Sequence, residues 1–226
     1  MKKLLSAALL LLFSLVVYGG NNDIYLTQTG SGLTLTIDQI GATNKIGTSQ
    51  TRVTLSGTSM AVDLDQIGDT NTFAASILQG NSSSWTYKAT GDSNTAAITV
   101  GGTGDAAGTD FDFEATGDSN VLTFTQGDSA TATTGNQDFV VTGTSNNINA
   151  KWNVVGCINS WTISGNSNDI DTVQSGRQDH DITVVLTGSS NNVDVDQTDT
   201  ASTNVANIIS TTSTGTIDID QCASGC

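Results

Sequence analysis

Apolar and polar residues alternate with period two along most of the chain, and the alternation is interrupted at regular intervals by a glycine followed three residues later by an asparagine. Period two places successive side chains on opposite faces of an extended backbone, so the pattern predicts half-buried strands and no helix. The marker Gly-x-x-Asn recurs as Gly41…Asn44, Gly68…Asn71, Gly91…Asn94, Gly117…Asn120, Gly143…Asn146, Gly165…Asn168 and Gly188…Asn191, with glycines 27, 23, 26, 26, 22 and 23 residues apart. That is a solenoid-sized repeat. Each period reads as strand, turn, strand, turn, and the chain as an all-β solenoid of about nine two-stranded rungs.

The inward positions follow from the phase. After the asparagine they are Ile24/Leu26, Phe73/Ala75, Ala96/Ile98, Leu122/Phe124, Ile148/Ala150, Val193/Val195 and, where Gly215 replaces the asparagine, Ile217/Ile219. Before the glycine they include Leu35/Ile37/Gln39, Val62/Leu64/Gln66, Trp85/Tyr87/Ala89, Phe111/Phe113/Ala115 and Asn159/Trp161/Ile163. Residues between them are mainly Thr, Ser, Asp and Asn, which face water.

A glutamine at +6 from the asparagine is the third fixed feature, as in Asn22-Ile24-Leu26-Gln28, Asn44…Gln50, Asn120…Gln126, Asn168…Gln174 and Asn191…Gln197. In rungs stacked about 4.8 Å apart, a side-chain amide donates to one neighbour and accepts from the other, so a buried column of amides satisfies itself without charge. We assign to such ladders Asn22, Gln28, Gln39, Asn44, Gln50, Gln66, Asn71, Gln79, Asn94, Asn120, Gln126, Asn146, Asn168, Gln174, Asn191, Gln197 and Gln221. The turn glycines Gly41, Gly68, Gly91, Gly117, Gly143, Gly165 and Gly188 supply either a left-handed backbone or a crowded turn that a side chain would block.

Residues 1–20 read as a secretory signal peptide: Lys2 and Lys3, an apolar run from Leu4 to Val17, then Tyr18-Gly19-Gly20, with cleavage expected near Gly19 or Gly20. No other apolar stretch is long enough to span a membrane. Loss of Lys2 and Lys3 leaves five basic residues against 22 acidic ones, a balance that excludes nucleic acid as a natural partner. Three cysteines remain in an oxidising compartment. Cys222 and Cys226, in the tail 222–226, are the easiest pair to join, and Cys157 beside Gly156 reads as a small turn or core residue.

The segments Asp38-Gln39-Ile40-Gly41-Ala42-Thr43-Asn44 and Asp65-Gln66-Ile67-Gly68-Asp69-Thr70-Asn71 resemble the Gln-x-Gly-x-x-Asn core of the curlin repeat, and the glutamine six residues after the asparagine matches its second glutamine. The resemblance extends over residues 21–221. It weakens along the chain: Ala89, Ala115, Val141, Ile163 and Leu186 replace the glutamine before the glycine, and Val100 and Trp152 replace the later one. It implies a secreted subunit of extracellular amyloid fibres with a biofilm or adhesion role, exported through an outer-membrane pore and working with a nucleator subunit.

The open ends of a solenoid template further strands, and no cap is identified at either end of the repeats. End-to-end self-assembly is therefore expected. Asp63, Asp65, Asp194, Asp196, Asp218 and Asp220 hold outward positions where repulsion between rungs slows it. The alternative is a monomeric or cell-attached solenoid that binds a surface, glycan or ice through outward pairs such as Thr34/Thr36, Thr123/Thr125 and Thr131/Thr133. Gly101-Gly-Thr-Gly-Asp105 reads as a longer loop rather than a calcium repeat, and His180 as a surface turn residue. No catalytic residue, cofactor or metal site is predicted.

Overall fold

The computed structural model describes residues 12–48, 50, 53–79, 82–101, 108–127, 136–154, 157–176, 180–199, 204–212 and 214–223. Every strand pair in it is parallel. The first strand, β1 (Leu12–Ile24), lies along β3 (Thr34–Ile46), and both are long enough to pass through the Gly-x-x-Asn turn. From β3 onward the rungs divide into two stacks. One holds the strands before each glycine: β5 (Ala61–Ile67), β7 (Ser84–Thr90), β9 (Asp110–Thr116), β11 (Asn136–Thr142), β13 (Cys157–Ser164), β15 (His180–Gly188) and β17 (Val205–Thr212). The other holds the strands after it: β2 (Thr27–Thr29), β4 (Val53–Ser56), β6 (Thr70–Gln79), β8 (Ser93–Val100), β10 (Ser119–Gln126), β12 (Ser145–Val154), β14 (Asp169–Gly176), β16 (Asn191–Asp199) and β18 (Gly215–Ala223).

Register is kept residue for residue over long columns. Asn71, Asn94, Asn120 and Asn146 pair in sequence, and Leu64, Tyr87, Phe113, Phe139, Trp161 and Val184 do the same in the other stack. A shift of one residue would turn each buried side chain outward, and this fixes the pairing.

The two stacks enclose one continuous core, filled by the inward residues read from the sequence. Its middle is aromatic. Phe73 lies on Tyr87 with ring centroids 4.8 Å apart, Phe124 meets Phe139 edge-on at 5.6 Å, and Phe139 meets Trp161 at 5.1 Å. Both ends are aliphatic, with Leu35 and Ile37 at one and Val184, Leu186, Val193 and Val195 at the other. Seven turns, from Leu33 to Gln197, have buried interiors. The rungs beyond them are partly open, so the interior spans fewer turns than the about nine rungs counted from the spacing.

β1 takes in Leu12–Gly20, the second half of the segment read as a leader, whose backbone runs in register with Thr34–Gly41 as far as Gly19. No helix among the described residues is long and apolar enough to cross a membrane.

Candidate functional site

The asparagine after each turn faces inward and is almost fully buried from Asn22 to Asn191. A buried amide without partners costs several kcal/mol, and here each up to Asn168 finds them in the next rung. Nδ2 of Asn22 donates to Oδ1 of Asn44, which donates in the same sense to Asn71, then Asn94, Asn120, Asn146, Asn168 and Asn191, at 2.7 to 3.0 Å. The same amides hold the turn. From Asn44 to Asn168 each also donates to the carbonyl of the glycine three residues earlier, at 2.9 to 3.3 Å. From Asn22 to Asn120 each reaches the carbonyl just before the next rung's glycine, at 2.9 to 3.1 Å. At Asn191 the ladder ends, because Gly215 occupies the next place, and Nδ2 of Asn191 has no partner.

The turn glycines are required by crowding. A Cβ on Gly68, Gly91, Gly117 or Gly143 would overlap the carbonyl oxygen of the preceding glycine in the column, at ordinary φ. Gly41 supplies the carbonyl that Gly68 would meet, and Gly19 pairs with it on the other side. Gly165 and Gly188 add φ of 141° and 135°, and their turns place Ser167 and Ser190 in the left-handed region at 59° and 58°.

The glutamines are less uniform than the spacing suggests. Gln39 and Gln66 form a pair, with Nε2 of Gln66 donating to Oε1 of Gln39 at 2.7 Å. In the next rung Ala89 holds the column place, and Tyr87 Oη donates to Oε1 of Gln66 at 2.7 Å in its stead. Complete burial holds the Tyr87 phenol far above the ordinary tyrosine range. The later column is continuous only at its end, where Gln197 donates to Gln174 and Gln221 to Gln197. Gln197 also donates to the carbonyls of His180 and Val205.

Four glutamines depart from expectation. Gln50 is exposed and lies outside any strand, and Leu55 takes the place opposite Gln28. Gln79 stands opposite Ser56 beyond a register shift, so Ile77 holds the ladder position. Gln126 is buried between Val100 and Trp152 in its column, and neither of its amide atoms has a hydrogen-bond partner. Gln28 lies near the open end and donates to its neighbour's carbonyl, Thr29 O, at 3.4 Å. Sequence reasoning also misplaced His180. It is fully buried, its carbonyl accepts from Gln197, and its N–H donates to Asn204 Oδ1 at 3.2 Å. The polar neighbours of His180 in Gln-Asp-His-Asp hide that its place in the period is an inward one.

Cys222 is disulfide-bonded. Its expected partner Cys226 lies outside the described residues, as do Thr131/Thr133 and most of the Gly101–Asp105 loop. Cys157 stands opposite His180 in register.

Outward carboxylates stack in register, as Asp38 on Asp65, Asp112 on Asp138, Asp194 on Asp218 and Asp196 on Asp220. Desolvation, then the like charges of Asp63 and Asp38, raise the Asp65 carboxyl above its ordinary range, against a lowering by Lys88. Asp112 is raised by desolvation and by Asp138 and Asp110, and Asp194 by desolvation and by Asp196, Asp218 and Asp220. Lys88 and Glu114 form an exposed ion pair at 3.6 Å. No group of side chains among the described residues has the makings of a metal site.

The remaining feature is the end of the stack. Ile217 and Ile219 continue the columns of Val193 and Val195, yet they are 46 and 39 % exposed where those valines are fully buried. Among the described residues nothing lies on the outer edges of β17 and β18. Each edge presents backbone N–H and C=O groups in register with a complete rung behind it, the arrangement that accepts a further parallel strand. Comparison with protein-family models, with characterised proteins and with solved structures finds no match.

Proposed function

We propose that this protein is a secreted structural subunit that assembles end to end into an extracellular, amyloid-like fibre with a biofilm-matrix or adhesive role. The observation that carries the reading is the open rung at β17 and β18, where the inward residues Ile217 and Ile219 stay exposed and no rung among the described residues lies on them. The buried columns behind it are polymer-like in kind: each rung satisfies the next, and nothing in the asparagine ladder marks one rung as final until Gly215. A contact between one molecule's last rung and another's first is heterologous and does not close on itself, so it propagates.

The resemblance to the curlin repeat supports the same reading and adds its context: a homopolymer that takes a nucleator subunit and an outer-membrane secretion pore as partners. The alternative, a surface-, glycan- or ice-binding monomer, has less behind it. Thr34 and Thr36 stand opposite Ala61 and Asp63, and Thr123 opposite Ala97 and Asn149, so no threonine array repeats along the outer face at these places.

The test follows thioflavin T fluorescence and electron microscopy of freshly dissolved chain at neutral pH. Unbranched, dye-positive fibres whose growth is shortened by seeds are expected. A persistently monomeric β-sheet protein would overturn the fibre reading and favour the surface-binding alternative.

A further inference from the structure

The Gly-x-x-Asn turn marker also occurs across the end of the segment read as a leader, as Gly19-Gly20-Asn21-Asn22. The fold uses it as a turn of the same kind. Gly19 pairs with Gly41 and Asn22 with Asn44, and ahead of them Leu12–Tyr18 run parallel to Thr34–Ile40 without a break in register. The backbone column that begins at Leu12 continues through Thr34 and Ala61 and ends at Val205. The chain from Leu12 to Gln221 thus supplies whole rungs, with both stacks starting at one level and both finishing at another.

We propose that Leu12–Gly20 is the first half-turn of the finished solenoid and the strand on which β17 of a second copy stacks, an inference that rests, for its second half, on the fibre reading above. With this strand in place two copies meet flush. Val205–Thr212 falls on Leu12–Gly19 while Gly215–Gln221 falls on Asn22–Gln28. The second contact is chemically matched. Ile217 and Ile219 meet Ile24 and Leu26, which are only half-buried in one molecule. Asp218 and Asp220 meet the uncharged Tyr25 and Thr27. Gln28 meets Gln221 in a column whose amides donate from each later rung to the earlier one.

Cleavage at Gly19 or Gly20 cuts this turn and removes one strand from one stack only. The edge of β3 then lies one strand spacing, about 4.8 Å, behind Asn22–Gln28. A second copy seated on Asn22–Gln28 leaves its β17 about 9.6 Å from β3, a gap the width of one missing strand. Leu35 and Ile37 face that gap, and the backbone groups of Thr34–Gly41 on that side lose their partners. A chain that keeps Leu12–Gly20 avoids this cost.

Hydrogen exchange of the full chain tests the strand, with Leu15→Pro and Val16→Pro made separately. Of two neighbouring strand residues one points its N–H at β3, and proline removes it and disrupts the pairing. We expect amides in Thr34–Gly41 to exchange about tenfold faster or more in at least one variant, while β9 and β11 stay protected and show that the rest is folded. Unchanged protection of Thr34–Gly41 in both variants overturns the proposal, whether or not fibres form. Fibre growth, measured in parallel, is expected to slow about tenfold or more in the variant that loses protection, since the flush end is lost. Equal growth overturns the stacking role alone. Altered protection with no fibres from any form upholds the half-turn and counts against the fibre reading instead.

Discussion

The asparagine column and the later glutamine column stand on the same strands, three inward positions apart in phase, and behave differently. The asparagine ladder runs unbroken from Asn22 to Asn191. The glutamine column passes through Gln28, Leu55, Ile77, Val100, Gln126, Trp152 and then Gln174, Gln197 and Gln221. The difference lies in what surrounds each. At the asparagine the glycine turn turns its carbonyls inward, and only a short amide reaches both the neighbouring amide and those carbonyls. At the glutamine place apolar residues stand at Leu55, Ile77, Val100 and Trp152, while backbone carbonyls accept from Gln197 and Gln221 at the end of the column. An amide ladder is obligatory where it closes a turn and optional where it only fills space.

The largest expected effect is at the glycine that makes the asparagine turn possible. Gly117→Val puts a side chain into Gly91 O and should cost more than about 4 kcal/mol, at the scale of diagnostic core lesions. Thermal unfolding of the variant checks it. Asn120→Ala comes next. It takes away the side-chain acceptor of Asn94 Nδ2, the donor to Asn146 Oδ1 and one donor to each of the Gly117 and Thr142 carbonyls, and a loss of about 3 kcal/mol follows from the buried hydrogen bonds removed. Denaturant unfolding should show an unchanged slope and a lower midpoint.

The counterpart in the other column has the opposite sign. Gln126→Leu removes two buried polar atoms that have no partner and should stabilise by about 1 kcal/mol. Gln197→Leu, in the intact end of the same column, should destabilise by about 2 kcal/mol, because Gln174, Gln221 and two backbone carbonyls lose contacts. Equal effects at positions 126 and 197 would erase the distinction drawn between the two parts of the column.

Much of this was legible in the residues. Period two, the glycine spacing and the asparagine after each turn define the rungs, the two stacks and nearly all of the core, because a parallel stack repeats one set of local rules. What escaped was length variation inside a rung. Counting six residues from Asn44 reaches Gln50, but Gln50 lies outside any strand and the wall position falls to Leu55. Gln79 is displaced by the register shift between Leu55 and Ser56 in the same way. Ile217 and Ile219 hold inward positions in the period, yet an inward position is buried only when a rung covers it.

The smallest effect concerns the outward carboxylates. Asp65, Asp112 and Asp194 are raised in the folded state, so between the unfolded and folded values the native chain binds more protons than the unfolded one. Stability contributed by these groups therefore rises as pH falls through the folded values and is complete below the ordinary carboxylate value near 3.8. Thermal unfolding between pH 7 and 4 should show a modest upward shift in midpoint, and fibre growth should quicken over the same range or on adding millimolar divalent cations. Growth rates that stay flat from pH 4 to 8 would remove the carboxylates as moderators of assembly.

Mass per unit length, read by scanning transmission electron microscopy on single filaments, bears most directly on end-to-end stacking. One chain of 23.2 kDa laid over about nine rungs at about 4.8 Å gives roughly 5 kDa per nanometre. That value, with a 4.8 Å reflection along the fibre axis, is what stacked solenoids produce. A filament near 50 kDa per nanometre, with one whole chain in every 4.8 Å layer, would contradict the account.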